Sequence, residues 1–112
     1  MHLLVAKLQG TDWRSIGRSE EVVADVLADP GQFRLVFDAI LTPDPVVRMH
    51  AADAVEKIAR RRPALLHGLE NCMLTEVARI DQKEVRWHVA QLLPRLTLTL
   101  PQRAQAIAIL RG

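Results

Sequence analysis

The sequence contains no tyrosine and a single cysteine, and only 4% of its residues are aromatic. The lone thiol, Cys72, excludes a disulfide within the chain and is typical of a reducing compartment. No apolar run approaches the length of a membrane span, and Leu3–Ala6 is too short for the core of a secretion signal. We therefore expect a cytoplasmic protein without a membrane segment.

Motifs for catalysis are also missing. The sequence has no glycine-rich phosphate loop and no Gly-x-Ser-x-Gly element, and no activating base is evident beside Cys72. The net charge of +2 describes a mildly basic chain, well short of one that demands nucleic acid. We therefore expect a non-enzymatic protein without a cofactor.

Two stretches of the chain repeat one another at a fixed shift of 38 residues. Pro45–Ile58 reads PVVRMHAADAVEKI and Lys83–Leu96 reads KEVRWHVAQLLPRL, so that a Val-Arg-x-His core recurs. A fixed-period echo is typical of repeat architectures. Alanine, leucine and valine supply most of the apolar content, which favours closely packed helices.

Proline, glycine and capping residues divide the chain into helices. Gly68 is expected inside the fourth helix at a modest cost, and Pro94 should kink or end the fifth. The predicted helices begin at Ser19, Gln32, Pro45, Pro63, Lys83 and Gln102. They form helix pairs over about 12–41, 45–80 and 83–111 within one domain, 1–112.

The segment Asp44–Ile58, with the pattern D-x-x-V-R-x-x-A-A-x-A-V-x-x-I, resembles the first helix of a HEAT repeat, an armadillo-like family. Glu84–Leu96 is a weaker version of the same pattern. The resemblance implies a right-handed α-solenoid of about three antiparallel helix pairs, with a concave face lined by the second helices. Many unrelated activities use such scaffolds, so the family indicates the fold and not the function.

A non-enzymatic protein-interaction scaffold is the function that we expect. Its concave face would consist of Gln32–Leu41, Ala64–Ile80 and Gln102–Arg111. The alternative is nucleic-acid binding, because some DNA-alkylation-repair glycosylases use HEAT-like repeats with a tryptophan, an acid and a basic groove. Trp87, Glu84 and Arg86 could take these roles, although no second tryptophan lies nearby in the sequence.

Arginine and histidine recur together in the echo. Arg48 and Arg86 are interpreted as a structural ladder, in which each bonds an acidic or carbonyl group at a repeat turn, such as Asp44 or Asp81. A clamp for phosphate or carboxylate is the other interpretation. The histidines at the equivalent positions should lie about 8–10 Å apart, too far to share a metal ion. We therefore predict no metal site.

Candidate contacts with a partner or with phosphate are Arg60, Arg61, Arg62, Trp87 and His88. Each has a structural alternative. The arginine cluster can be a solvated helix end that complements the helix dipole. Trp87 is expected to pack in the core or to be partly covered between helix layers.

The last predicted helix, Gln102–Arg111, contains the continuous apolar run Ala106–Leu110, which covers every face of a helix. A terminal solenoid helix should have a polar outer face. We therefore expect either that the natural chain continues as a longer solenoid or that this helix packs against a second copy. In both cases an exposed apolar end predicts self-association.

Overall fold

The computed structural model of the protein describes residues 3–9 and 13–112. No strand forms within those two ranges, so the predicted all-α class is confirmed. The predicted start of the first helix pair, near residue 12, lies outside the described residues. In chain order the helices are α1 (Leu3–Ala6), α2 (Trp13–Ala28), α3 (Phe33–Ala39), α4 (Pro45–Arg61), α5 (Glu70–Cys72), α6 (Lys83–Leu92) and α7 (Leu100–Arg111).

The core is built around α4, which packs against α2, α3 and α6. Asp44 caps its N-terminus by accepting hydrogen bonds from the backbone nitrogens of Val46 and Val47, at 2.9 and 3.3 Å. Pro45 occupies the first turn, where a missing N–H costs nothing. Small side chains on the buried faces allow the neighbouring helices to approach closely. The buried apolar residues of α4 are Val47, Ala51, Ala52, Ala54, Val55, Ile58 and Ala59.

The other helices are placed by their contacts with this central row. α2 and α6 both pack on α4, which makes α4 the middle member of the row. α3 packs against α1 as well as α4, and α7 packs against the segment Met73–Val77. The two helices that the 38-residue echo relates, α4 and α6, thus lie side by side.

The predicted helix start at Ser19 is wrong. Ser19 lies inside the continuous helix α2, where it is buried and its hydroxyl oxygen has no hydrogen-bond partner in the described residues. Residues 13–28 contain no proline, and the isolated Gly17 costs only about 1 kcal/mol relative to alanine. Burial of Val22 and Val26 outweighs that cost, so the helix continues through the predicted boundary.

The predicted fourth helix is also interrupted. Pro63–Leu66 forms a 3-10 turn, and Gly68 then adopts a φ of 90°, a conformation that ends a right-handed helix. The chain resumes as α5, which widens into the π-helical segment Met73–Val77. Four large apolar residues of this stretch are buried despite the break, because the turn returns the chain to the same side of the core. These residues are Leu66, Leu69, Met73 and Val77.

Replacing Gly68 with alanine is expected to lower the free energy of unfolding by about 1–2 kcal/mol, as measured by urea denaturation. A Cβ at this position meets no atom within 4 Å, so the cost is conformational and not steric. Gly31→Ala is the control, because its Cβ would lie 3.4 Å from the nearest atom, Asp29 Oδ1, in an ordinary contact. That change should stabilise the protein by up to about 1 kcal/mol. Equal effects of the two substitutions would contradict the role assigned to Gly68.

The two C-terminal helices follow the proline signals closely. α6 ends at Leu92 and passes into a 3-10 turn, Leu93–Arg95, that contains Pro94. α7 begins two residues before the predicted Gln102, because Thr99 and Gln102 form a reciprocal capping box. Thr99 accepts from the backbone nitrogen of Gln102, and the Gln102 side chain accepts from that of Thr99.

Candidate functional site

A wide groove of about 1370 Å³ opens between α4 and α6 and extends to the turn at Ala78–Asp81 and to the end of α7. We call it the Trp87 groove. Its lining combines apolar side chains with charged side chains of both signs, a mixture that suits a protein surface better than a polyanion. α4 and α6 contribute Met49, His50, Asp53, Lys83, Glu84, Arg86, Trp87, His88, Val89 and Ala90.

Trp87 is 61% exposed, so of the two expected arrangements a core position is wrong and partial cover is observed. Val85, Val89 and Leu92 take the inward positions of α6 and are buried. A residue two positions after Val85 on a helix lies on the nearly opposite face, which places Trp87 at the surface. Its only ring contact in the described residues is with the adjacent His88, edge to face at 5.1 Å between centroids.

A row of charged and polar side chains crosses the helices beside the groove. The Lys57 ammonium donates to the carboxylates of Glu20 on α2 and of Asp53, the latter at 3.0 Å. On the other side of Asp53, His88 Nε2 on α6 lies 3.7 Å from Asp53 Oδ1. Asp53 thus faces cationic or polar partners from two sides, and the row links α2, α4 and α6.

His88 has an unusual environment within this row. Its side chain is largely buried, and its Nδ1 has no hydrogen-bond partner among the described residues. Burial lowers the pKa of His88 below its ordinary value, and the nearby Asp53 carboxylate offsets only part of that effect. His88 is therefore predominantly neutral at pH 7, and its contact with Asp53 is not a full ion pair.

The lowered pKa of His88 predicts how stability changes with pH. The unfolded chain binds the proton more readily than the folded one, so acid favours unfolding. The stabilising contribution is fully present above the unfolded pKa of about 6.5 and is lost as the pH falls from that value through the lower pKa of the folded state. We expect stability to fall between about pH 7 and pH 5 more steeply in the wild type than in His88→Gln, by urea denaturation. An NMR titration midpoint for His88 above that of a free histidine would contradict this assignment.

His50 makes a different contact from its echo, His88. Its Nδ1 lies 2.6 Å from the backbone carbonyl oxygen of Leu8, and because a carbonyl only accepts, Nδ1 donates. This bond joins α4 to the N-terminal segment, and both residues are buried.

In the described part of the chain, no three histidine, cysteine or carboxylate side chains cluster closely enough to hold a metal ion.

The ladder residues contact their own turns. Arg48 Nε donates to the backbone carbonyl of Thr42, and Arg86 Nη1 lies 3.3 Å from Asp81 Oδ1. Asp44 is engaged as the cap of α4. The pair of Arg86 with Asp81 is highly exposed, so it contributes little to stability.

Gln82 joins the start of α6 to the start of α4, and the sequence reasoning missed it. Its side-chain amide donates to the backbone carbonyl of Pro45 at 2.7 Å, across 37 residues of chain. Gln82 stands at the N-cap of α6, as Asp44 does at α4, but makes no capping bond. The echo contained the signal, because Gln82 matches Asp44 at the 38-residue shift.

The arginine cluster carries less free charge than its sequence suggests. Arg60 Nη2 donates to both carboxylate oxygens of the buried Glu56, at 2.8 and 2.6 Å. Lys57, one turn earlier, is held by carboxylates on both sides. Arg61 and Arg62 are exposed at the end of α4 and have no ion-pair partner in the described part of the protein.

The predicted candidate residues therefore separate into two places. Trp87 and His88 line the Trp87 groove, together with Arg86 and Asp81. The cluster Arg60–Arg62 lies outside the groove lining, as do Asp44 and Arg48. The groove is thus lined mainly by α4 and α6 and not by the three segments predicted to form a concave face.

Comparison with protein-family models, with curated proteins and with solved structures gives no match to this chain. Within the described ranges, none of the helices is both long enough and apolar enough to cross a membrane. The function must therefore be argued from the geometry of the groove.

Proposed function

We propose that the protein is a non-enzymatic interaction scaffold that binds a segment of another protein in the Trp87 groove. The exposed indole of Trp87 carries this proposal. Tryptophan is strongly enriched among the residues that dominate binding energy at protein interfaces. Here it projects from a rigid helix into an open groove that also offers charged groups of both signs.

The scaffold is proposed to be a short stack of HEAT-like helix pairs. The side-by-side packing of α2, α4 and α6 and the bond from Gln82 to Pro45 support this architecture, because stacked repeats are held by contacts between neighbours. The partner site proposed here lies along α4 and α6. The segments first expected to form a concave face contribute only the groove's ends, near Ala78–Ile80 and Ile109.

The state of the cysteine argues against catalysis by the Cys72 thiol and is compatible with a binding role. Burial and the nearby Glu76 carboxylate raise the pKa of the Cys72 thiol, which keeps it protonated at neutral pH. The protonated thiol is a poor nucleophile. A cytoplasmic location is proposed on the single-cysteine composition.

Trp87→Ala is expected to weaken binding of the partner by roughly 30-fold, the effect of losing about 2 kcal/mol at an interface hot spot. The partner would be identified by quantitative affinity purification from the native host. Its dissociation constant would then be measured with both purified proteins.

Leu35→Ala is the matched control. Leu35 is another exposed large apolar residue, 39% exposed on α3 and outside the groove lining. It should leave affinity unchanged. A partner that binds Trp87→Ala as tightly as the wild type would overturn the proposed site, and equal losses in both variants would indicate general unfolding.

Nucleic-acid binding remains the alternative, supported by the exposed pair Arg61 and Arg62. Two free cations release few counterions, so any affinity for duplex DNA should be weak, with a shallow slope of about −2 for log K against log salt concentration. Binding that is lost in the double variant Arg61→Glu, Arg62→Glu, and retained in Trp87→Ala, would favour this alternative over the scaffold.

A further inference from the structure

Helix α7 has two unlike faces, and the outer one carries large apolar side chains beside two exposed arginines. On the inner face Ala106 is buried, and Gln102 Nε2 donates to Asn71 Oδ1 at 3.0 Å. On the outer side Leu100, Ile107 and Leu110 are 77%, 51% and 53% exposed. Leu100 and Ile107 are seven residues apart, two helical turns on one stripe, with Leu110 at its edge.

A groove of about 350 Å³ runs beside this stripe. One wall is the segment Leu93–Leu98 and the other is α7. Leucine, proline, alanine and isoleucine line it, and Arg103 is its single charged lining residue. We call the stripe and groove together the α7 groove. Such a cleft accepts the protruding apolar side chains of another helix.

Charge at the α7 groove is of one sign. The sequence from Val85 to Gly112 contains no aspartate or glutamate, whereas it carries arginines at positions 86, 95, 103 and 111. Arg103 and Arg111 lie on α7 itself and are exposed. An occupant with acidic residues beside its apolar stripe would therefore complement this surface.

We propose that the α7 groove binds an acidic amphipathic helix of a partner protein. The leucine-type side chains of that helix fill the cleft between Leu93–Leu98 and α7. Its flanking carboxylates accept hydrogen bonds from the guanidinium groups of Arg103 and Arg111. This site is separate in function from the Trp87 groove, although Leu110 lines both.

A second copy of the chain, expected from the sequence, complements the groove less well. Two α7 helices would bring like-charged arginines together without a carboxylate on either helix. The acidic side chains of α2 are already committed, Glu21 and Asp25 to Lys7 and Glu20 to Lys57. A lipid surface would also leave the cleft unfilled, because a membrane accommodates projecting side chains and does not supply them.

The test uses the full chain and two synthetic helical peptides with the same leucine stripe, one flanked by glutamates and the other by lysines. Fluorescence anisotropy gives each affinity at low and at high salt, and NMR maps the contact. We expect the acidic peptide to bind at least about tenfold more tightly, the effect of two exposed charge pairs, and to weaken with salt. Ile107→Ser and Arg103→Glu should each weaken it about tenfold.

Leu35→Ser and Arg62→Glu are the matched controls, since both residues are exposed elsewhere, and neither should change the peptide affinity. Equal affinity for the two peptides, or no binding of either, overturns the proposal. The proposal is also overturned if the chain alone forms a dimer whose affinity rises with salt and which dissociates in Ile107→Ser. Binding to phosphatidylserine vesicles but to neither peptide would overturn it as well. Trp87→Ala should leave the peptide affinity unchanged. Failure of the α7-groove proposal can therefore be distinguished from failure of the function proposed for the Trp87 groove.

Discussion

Replacing Phe37 with alanine is expected to lower the free energy of unfolding by about 3–5 kcal/mol, measured by urea denaturation. Phe37 is completely buried on α3, and its ring centroid lies 6.4 Å from that of Phe33. The substitution removes the buried aromatic ring and leaves a cavity. The neighbouring helices α1 and α4 can fill that cavity only in part. A chain of this size has a small free energy of unfolding, so the variant should be largely unfolded near the growth temperature of the host organism.

Leu35→Ala provides the internal comparison, because Leu35 lies two residues earlier on the same helix and is largely on the surface. Its removal should cost less than about 1 kcal/mol. If the two variants lose similar stability, α3 does not pack with the face assigned to it. A clear difference between them would establish the orientation of α3 without any further structure.

That orientation was predictable from sequence, because periodicity alone sets it. The spacing of Phe33, Val36, Phe37 and Ile40 follows one helical face, and all four are buried. The same argument holds for α4, where capping by Asp44 and a proline in the first turn mark the start. Local signals of this kind act within a few residues and need no knowledge of the rest of the fold.

Predictions failed where tertiary packing or a special backbone conformation decided the outcome. Ser19 has the chemistry of a helix cap, yet burial of its helix against the core places it mid-helix. Gly68 was expected to continue a helix, but it supplies the positive φ that lets the chain turn. Glycine permits either outcome, so the residue type alone cannot choose between them.

The candidate site was less predictable than the fold. The echo drew attention to Trp87 and His88, but it could not show on which side of α6 a bulky residue lies. Ion pairs such as Lys57 with Glu20 join residues 37 positions apart, and no local pattern marks them. The histidines also diverge, because His50 meets the N-terminal segment whereas His88 meets Asp53. Two positions that match in the echo therefore have different neighbours in the fold.

The second large loss of stability is expected where the buried alanines of α4 allow neighbouring helices to pack closely. Ala54→Leu should lower the free energy of unfolding by about 1–3 kcal/mol, measured by urea denaturation with circular dichroism. Ala54 is fully buried near the middle of α4, the helix that packs against α2, α3 and α6. Three added carbon atoms have no space to enter, so a neighbouring helix must shift or side chains must leave their preferred rotamers.

Ala24→Leu on α2 is the matched control, since Ala24 is exposed and the added side chain reaches solvent. Leucine is nearly as good a helix former as alanine, so this change should alter stability by less than about 0.5 kcal/mol. If Ala54→Leu changes stability as little as the control does, the interfaces of α4 contain unfilled space. The conclusion that neighbouring helices pack closely on α4 would then be wrong. If it is costly and also weakens partner binding, the separation of α4 and α6 sets the width of the Trp87 groove.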